Sequence, residues 1–107
     1  MSDTTQQIIQ AIIQKHPVVL FMKGTPESPY CGFSQDVARL LTSLKIDFFP
    51  VDVMQDDTIR QGIKTFSQWP TIPQLYVNQA FIGGRDIVMD MHEHNELLAS
   101  LQEYVKA

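Results

Sequence analysis

A chain of 107 residues, 44% apolar and 19% charged, is long enough for one domain with one hydrophobic core and too apolar to stay disordered. Eight Lys and Arg against twelve Asp and Glu leave a formal charge of −4. An acidic chain without a basic tract lacks the clustered cations that nucleic-acid phosphates demand.

The stretch from Met1 to Gln7 is polar and has no positive region followed by an apolar run, so no secretory signal is read there. Asp3 or Thr4 is expected to cap a first helix in which Ile8, Ile9, Ile12 and Ile13 recur at helical spacing. His16-Pro17 ends it. Val18 to Met22 is a continuous apolar run, too short to cross a membrane and suited to a strand buried on both faces. The segment Lys23 to Tyr30, with its Gly, Pro, Ser and Thr, reads as a loop. A second helix starts at Cys31 and runs to about Leu44, with Phe33, Val37, Leu40, Leu41 and Leu44 on its apolar side.

Phe48 to Asp52 reads as a short strand, and Asp56 to Phe66 as a third helix with Ile59, Ile63 and Phe66 inward. Gln74 to Val77 and Ala80 to Ile82 form a hairpin about Asn78-Gln79, a weaker turn signal than Asn-Gly. Gly83-Gly84 leads into a helix from Asp86 to Met91. Glu96 to Val105 is a terminal helix with Leu97, Leu98, Leu101 and Val105 inward. A crossover helix makes the first two strands parallel, and the hairpin makes the last two antiparallel. The expected architecture is α/β: one domain over 1–107 with a small four-stranded mixed sheet and helices on both faces.

The chain has a single cysteine, which excludes an internal disulfide and fits a reducing compartment. The expected location is cytoplasmic, or that of a mature organelle protein. Cys31 lies between a proline-bearing loop and a helix start, where unpaired N–H groups and partial positive charge favour thiolate. Lys23, at the end of the preceding strand, adds a second positive influence. The competing reading is a small buried apolar residue, as most free cysteines are. Cys31-Gly32-Phe33-Ser34 has the form of Cys-x-x-Cys with a hydroxyl in place of the second thiol. Ser34 cannot resolve a mixed disulfide, so an external thiol is required; it also reads as a helix-start residue with a local hydrogen bond.

In Trp69-Pro70-Thr71-Ile72-Pro73-Gln74, a cis Pro73 would let Ile72 present its N–H and C=O toward the Cys31 loop, for pairing with an extended thiol peptide. An ordinary trans Pro marking a strand start is the other reading. Gly83-Gly84 before Arg85-Asp86 permits close backbone approach at a helix start, a seat for a carboxylate. Asp86 can pair with an ammonium, and Lys23 and Arg60 can hold a further carboxylate. Taken singly, these residues also read as a turn, a cap and a solvated face. His92-x-His94 has metal-pair spacing but reads as two solvated histidines.

Together, Met22-Lys23-Gly24-Thr25-Pro26, Cys31-Gly32-Phe33-Ser34, Trp69-Pro70-Thr71-Ile72-Pro73-Gln74 and Gly83-Gly84-x-Asp86-Ile87 resemble the monothiol glutaredoxins of the Cys-Gly-Phe-Ser class, in order and spacing, over essentially the whole chain. The resemblance implies a thioredoxin-like (glutaredoxin) fold. It implies that Cys31 ligates iron of a bridging [2Fe–2S] cluster, with glutathione supplying a second thiolate per subunit and two subunits completing the four sulfur ligands. By the same resemblance Lys23 and Arg60 hold the glycine carboxylate of glutathione, and Ile72 pairs with its backbone. Arg85, by main chain, and Asp86, by N–H and carboxylate, hold its γ-glutamyl end. The implied partners are glutathione, a second copy when the cluster is bound, a BolA-type protein and iron–sulfur acceptors, with no nucleic acid and no membrane. The alternative activity is reduction of glutathione mixed disulfides. Many relatives carry Cys where this chain has Arg85, whose side chain either reinforces a carboxylate or extends into water.

Overall fold

The computed structural model of the protein describes residues 3–107. The elements in order are α1 (Asp3–Lys15), β1 (Val18–Met22), α2 (Gly32–Ser43), β2 (Phe49–Asp52), α3 (Asp57–Ser67), β3 (Gln74–Val77), β4 (Ala80–Gly83), α4 (Arg85–Glu93) and α5 (Glu96–Leu101). Met1, Ser2 and the Asp3 side chain lie outside the described residues, and with them the cap expected of Asp3. Thr4 lies inside α1.

The strands run in the order β2-β1-β3-β4. β1 is parallel to β2, and β3 is antiparallel to β1 and β4, the mixed sheet that the crossover and hairpin imply. Central β1 is buried at every position, and its alternation divides the core. Val18, Leu20 and Met22 pack with Val37, Ala38 and Leu41 of α2, Val88 of α4, and Leu97 and Leu101 of α5. Val19 and Phe21 face the other way, with Ile9 and Ile13 of α1, Ile59 and Ile63 of α3, and Tyr76. Each such side chain, taken from water, contributes about 1.5–3 kcal/mol. In the hairpin turn Asn78 and Gln79 have φ of 49° and 71°. Both central residues are thus left-handed, as the twist-matched two-residue turn requires.

Several expectations about inward faces are corrected. Ile8, Phe33, Leu98 and Val105 are exposed. In α5, Leu97 and Leu101 stand four residues apart on the buried face, and Leu98 falls about a third of a turn round from it. The helix stops at Leu101, a 3₁₀ turn spans Gln102–Tyr104, and Val105 bridges to Ile46 instead of continuing the helix. α4 opens at Arg85, one residue before the expected start, and runs on to Glu93. Among the described residues, no helix is long and apolar enough to cross a membrane.

This topology gathers chemistry at one end of the sheet. β1 ends at Met22 beside Asp52 of β2. Phe21, near that same end, faces Gln74 at the start of β3, and Leu75 faces Gly83 at the end of β4. Lys23, the 69–73 loop and the start of α4 therefore meet where α2 begins.

Candidate functional site

The loop between β1 and α2 is folded on itself. Gly24 has φ of 89°, and a side chain there would run into the Ser28 carbonyl, so glycine is required. Its N–H donates to Asp52 Oδ1 at 2.9 Å, and the Tyr30 N–H donates to the Lys23 carbonyl at 2.9 Å. Held in this way, the loop delivers Cys31 to the N-cap of α2 with extended backbone. The thiol is partly exposed, so the buried-apolar reading of Cys31 does not hold.

Cys31 Sγ accepts from the Ser34 N–H at 3.3 Å and lies 3.3 Å from Ser34 Oγ. Ser34 is fully buried and its Oγ accepts from the Lys23 N–H at 3.0 Å. Partial burial pushes the thiol up and is the largest single influence. The Ser34 hydroxyl, the Ser34 and Phe33 N–H groups and the Lys23 charge together outweigh it, and hold Cys31 below the ordinary thiol value. Ser34 is thus both the helix-start residue and a tuner of the thiol: once Cys31 ionises, its hydroxyl can donate to sulfur while Lys23 N–H donates to it.

Cys31 opens onto a cleft of about 290 Å³ lined by Lys23, Phe33, Lys64, Pro70, Thr71 and Ile72. A second cleft of about 210 Å³ shares Phe33, Thr71 and Ile72 with it and reaches Trp69, Gly84, Arg85, Asp86 and Ile87. The Ile72–Pro73 peptide is cis and the Ile72 side chain is buried. Buried Gln74 fixes this segment, donating from Nε2 to the Trp69 and Thr71 carbonyls at 3.2 and 3.1 Å and accepting from the Tyr76 hydroxyl at 3.2 Å. Burial pushes the Tyr76 phenol up to about 12, so it stays a donor. A larger hollow of about 450 Å³, at the opposite end of the sheet, is lined by His16, Phe49 and Tyr104 among others. The chemistry described here is absent from its lining, so size is a poor guide to the site.

Of the residues singled out from sequence, Cys31, Lys23 and Ile72 meet in one cleft, and Ile72, Arg85 and Asp86 in the adjoining one. Arg60 lines neither: its Nε donates to Asp57 Oδ1 at 2.9 Å. One turn further along α3, Lys64 lines the Cys31 cleft, a residue that the i, i+4 spacing from Arg60 was sufficient to flag. The Arg85 side chain lines the second cleft and is held by two carboxylates instead of extending freely into water. Its Nε donates to Asp36 Oδ2 at 3.0 Å and its Nη1 to Asp86 Oδ1 at 3.1 Å, with the guanidinium carbon 6.0 Å from the Phe33 ring centroid. Hydrogen bonds to Asp36 and then Asp86 hold its pKa above the ordinary arginine value. Asp36 carried no local sequence signal, being 49 positions from Arg85.

Gly83 has φ of 154°, and a side chain there would strike Ile87 Cβ at 2.7 Å. Gly84 caps α4 without a side-chain hydrogen bond, and a Cβ there would lie 3.3 Å from the Pro73 carbonyl. His94 Nδ1 lies 2.8 Å from the Asp90 carbonyl, which holds its pKa above the ordinary histidine value. Among the described residues no group of three or more His, Cys, Asp or Glu can hold a metal ion.

A glutaredoxin family profile matches residues 18–82. The chain is 49% identical over 106 residues to the mitochondrial monothiol glutaredoxin-5 of Lachancea kluyveri, covering 96% of this chain and 74% of that protein. It is 42% identical, over the full length of both, to an uncharacterised monothiol glutaredoxin of Porphyra purpurea. Among solved structures, a buckwheat glutaredoxin–glutathione complex superposes with a TM-score of 0.85 at 25% identity, over 97% of this chain and 94% of that one.

Proposed function

The chain belongs to the glutaredoxin family and is of the monothiol kind, and from that premise we propose that it binds glutathione and carries a [2Fe–2S] cluster to acceptor proteins. The observation that carries this reading is the donor set. One partly exposed thiol, held below its ordinary pKa, opens onto a cleft with Lys23, Lys64 and Ile72. A cluster needs four sulfur ligands and one chain supplies a single cysteine. Glutathione and a second copy of the chain supply the rest, so the carrier is a homodimer when loaded, or a mixed complex with a BolA-type protein.

In this reading the glycine carboxylate of glutathione lies near Lys23, with Arg60 joining once it leaves Asp57 and Lys64 taking a share from the cleft wall. The Ile72 backbone pairs with the tripeptide. The α4 start holds the γ-glutamyl end through the Arg85 and Asp86 N–H groups and the Asp86 carboxylate. The workplace proposed is the cytoplasm, or the organelle lumen that a mature relative of the mitochondrial proteins would occupy; cell fractionation separates the two. The second reading, reduction of glutathione mixed disulfides, is favoured by the lowered thiol pKa.

Anaerobic reconstitution with iron, sulfide and glutathione tests the proposal. A coloured dimer is expected from the parent and a colourless monomer from Cys31→Ser. Colour that survives Cys31→Ser, or that forms without glutathione, sinks the carrier reading. Turnover of a glutathione mixed disulfide by a protein that assembles no cluster supports the second.

A further inference from the structure

Asp86 reaches the site already engaged. The guanidinium of Arg85 bridges Asp86 at 3.1 Å and Asp36 of α2 at 3.0 Å, one cation between two carboxylates. The Asp86 side chain is 91% exposed, whereas those of Arg85 and Asp36 are 35% and 38% exposed. Its carboxylate is thus open to a ligand, yet its charge is already partly met. We infer that Arg85 is an internal competitor for the ligand's ammonium, and that Asp36 sets the strength of that competition by drawing the guanidinium away from Asp86.

A guanidinium has several donors in a fixed fork, and here its Nε and Nη1 donate to different carboxylates. An ammonium arriving at Asp86 meets a carboxylate whose attraction is reduced by the cation beside it. Removing Arg85 leaves Asp86 fully available. Removing Asp36 leaves Arg85 with Asp86 as its one carboxylate, and competition rises. The two substitutions therefore act with opposite signs, although both break the same contact between α2 and α4. A purely structural role for Arg85 gives the same sign for both.

This inference rests on the reading that Asp86 receives the γ-glutamyl ammonium of glutathione, and the experiment separates the two. The reduced full-length chain is titrated by NMR, under anaerobic conditions, with glutathione and with glutaryl-cysteinylglycine, which lacks the ammonium. Arg85→Ala should tighten glutathione about two- to five-fold, the scale of an exposed ion pair, and leave the des-amino peptide unmoved. Asp36→Asn should weaken glutathione by a similar factor, and Asp36→Asn with Arg85→Ala should match Arg85→Ala alone. An Arg85→Ala protein that binds glutathione no better than the parent overturns the inference. If Asp86→Ala weakens glutathione, the placement of the ammonium stands whatever Arg85→Ala does. If it has no effect, the placement fails and takes this inference with it.

Discussion

α2 and α4 bring their N-termini to the same end of the sheet, and they treat their unpaired N–H groups in opposite ways. α2 closes its own end: Cys31 caps it, accepts from the Ser34 N–H and gains acidity from the arrangement. α4 begins at Arg85 after Gly84, whose missing side chain makes no cap hydrogen bond to the first N–H groups. In the function proposed, one terminus carries the thiol and the other is the open seat. A site for a tripeptide needs both, because a thiol that reacts and a pocket that holds the far end cannot be the same helix start.

The comparison breaks most severely on the thiol side with Lys23→Ala. This removes a cation from the Cys31 cleft, and a charge-assisted hydrogen bond contributes roughly 1.5–3 kcal/mol. Glutathione affinity should fall on the order of tenfold or more by calorimetry with the fold intact. An unchanged affinity would mean the carboxylate lies elsewhere, with Arg60→Ala and Lys64→Ala deciding where. On the open side, Gly83→Ala puts a Cβ against Ile87 at positive φ and should destabilise by more than about 1 kcal/mol. A denaturation midpoint equal to the parent's would show that the α4 start tolerates the change.

Ser34→Ala sharpens the contrast without dismantling it. It removes the hydroxyl beside the thiol and leaves the partly buried Lys23 N–H without its acceptor, so the pH midpoint of Cys31 alkylation should move up toward the ordinary thiol value. The sign follows from the lowered folded pKa. Thiolate character stabilises the parent above the unfolded thiol pKa, and that contribution is lost as pH falls through the folded value. A midpoint that stays or drops would remove Ser34 from the tuning. The smallest effect belongs to the far end of α4. The pKa of His94 is raised by the Asp90 carbonyl, so its contribution is full below the ordinary histidine value and fades as pH rises through the folded one. His94→Gln should flatten that shallow slope in thermal unfolding; a slope that persists assigns it to other groups.

Much of this was legible in the residues because it depended on short-range rules. Val18 to Met22 is a strand by its unbroken apolar run, Cys31 begins a helix by its place after the loop, and the third helix, expected from Asp56, starts one residue later with Asp56 as its cap. Pro73 is cis, one of the two readings its sequence context left open. What escaped was set by distance or by rotation about a helix. Nothing near Arg85 in the chain points to Asp36, since the contact forms only after α2 and α4 dock on the same face. Arg60 and Lys64 share a helix face, and spacing alone does not say that Arg60 pairs with Asp57 while Lys64 lines the Cys31 cleft. Leu98 satisfied an apolar count while missing the buried stripe by part of a turn, and Val105 lies past the end of the helix.

Gln74 gives the site two kinds of grip with different tolerances. The 69–71 segment beside Ile72 is tied down by an amide, two carbonyls and a phenol that stays protonated. None of these changes charge across the range in which cells operate, and salt screens such a network little. The contacts proposed through Lys23 and Asp86 are ionic and fade as ionic strength rises. In the function proposed, rising electrolyte should therefore weaken glutathione more than a thiol peptide whose ends carry no charge, leaving the backbone contact as the part of the grip that the solvent does not control.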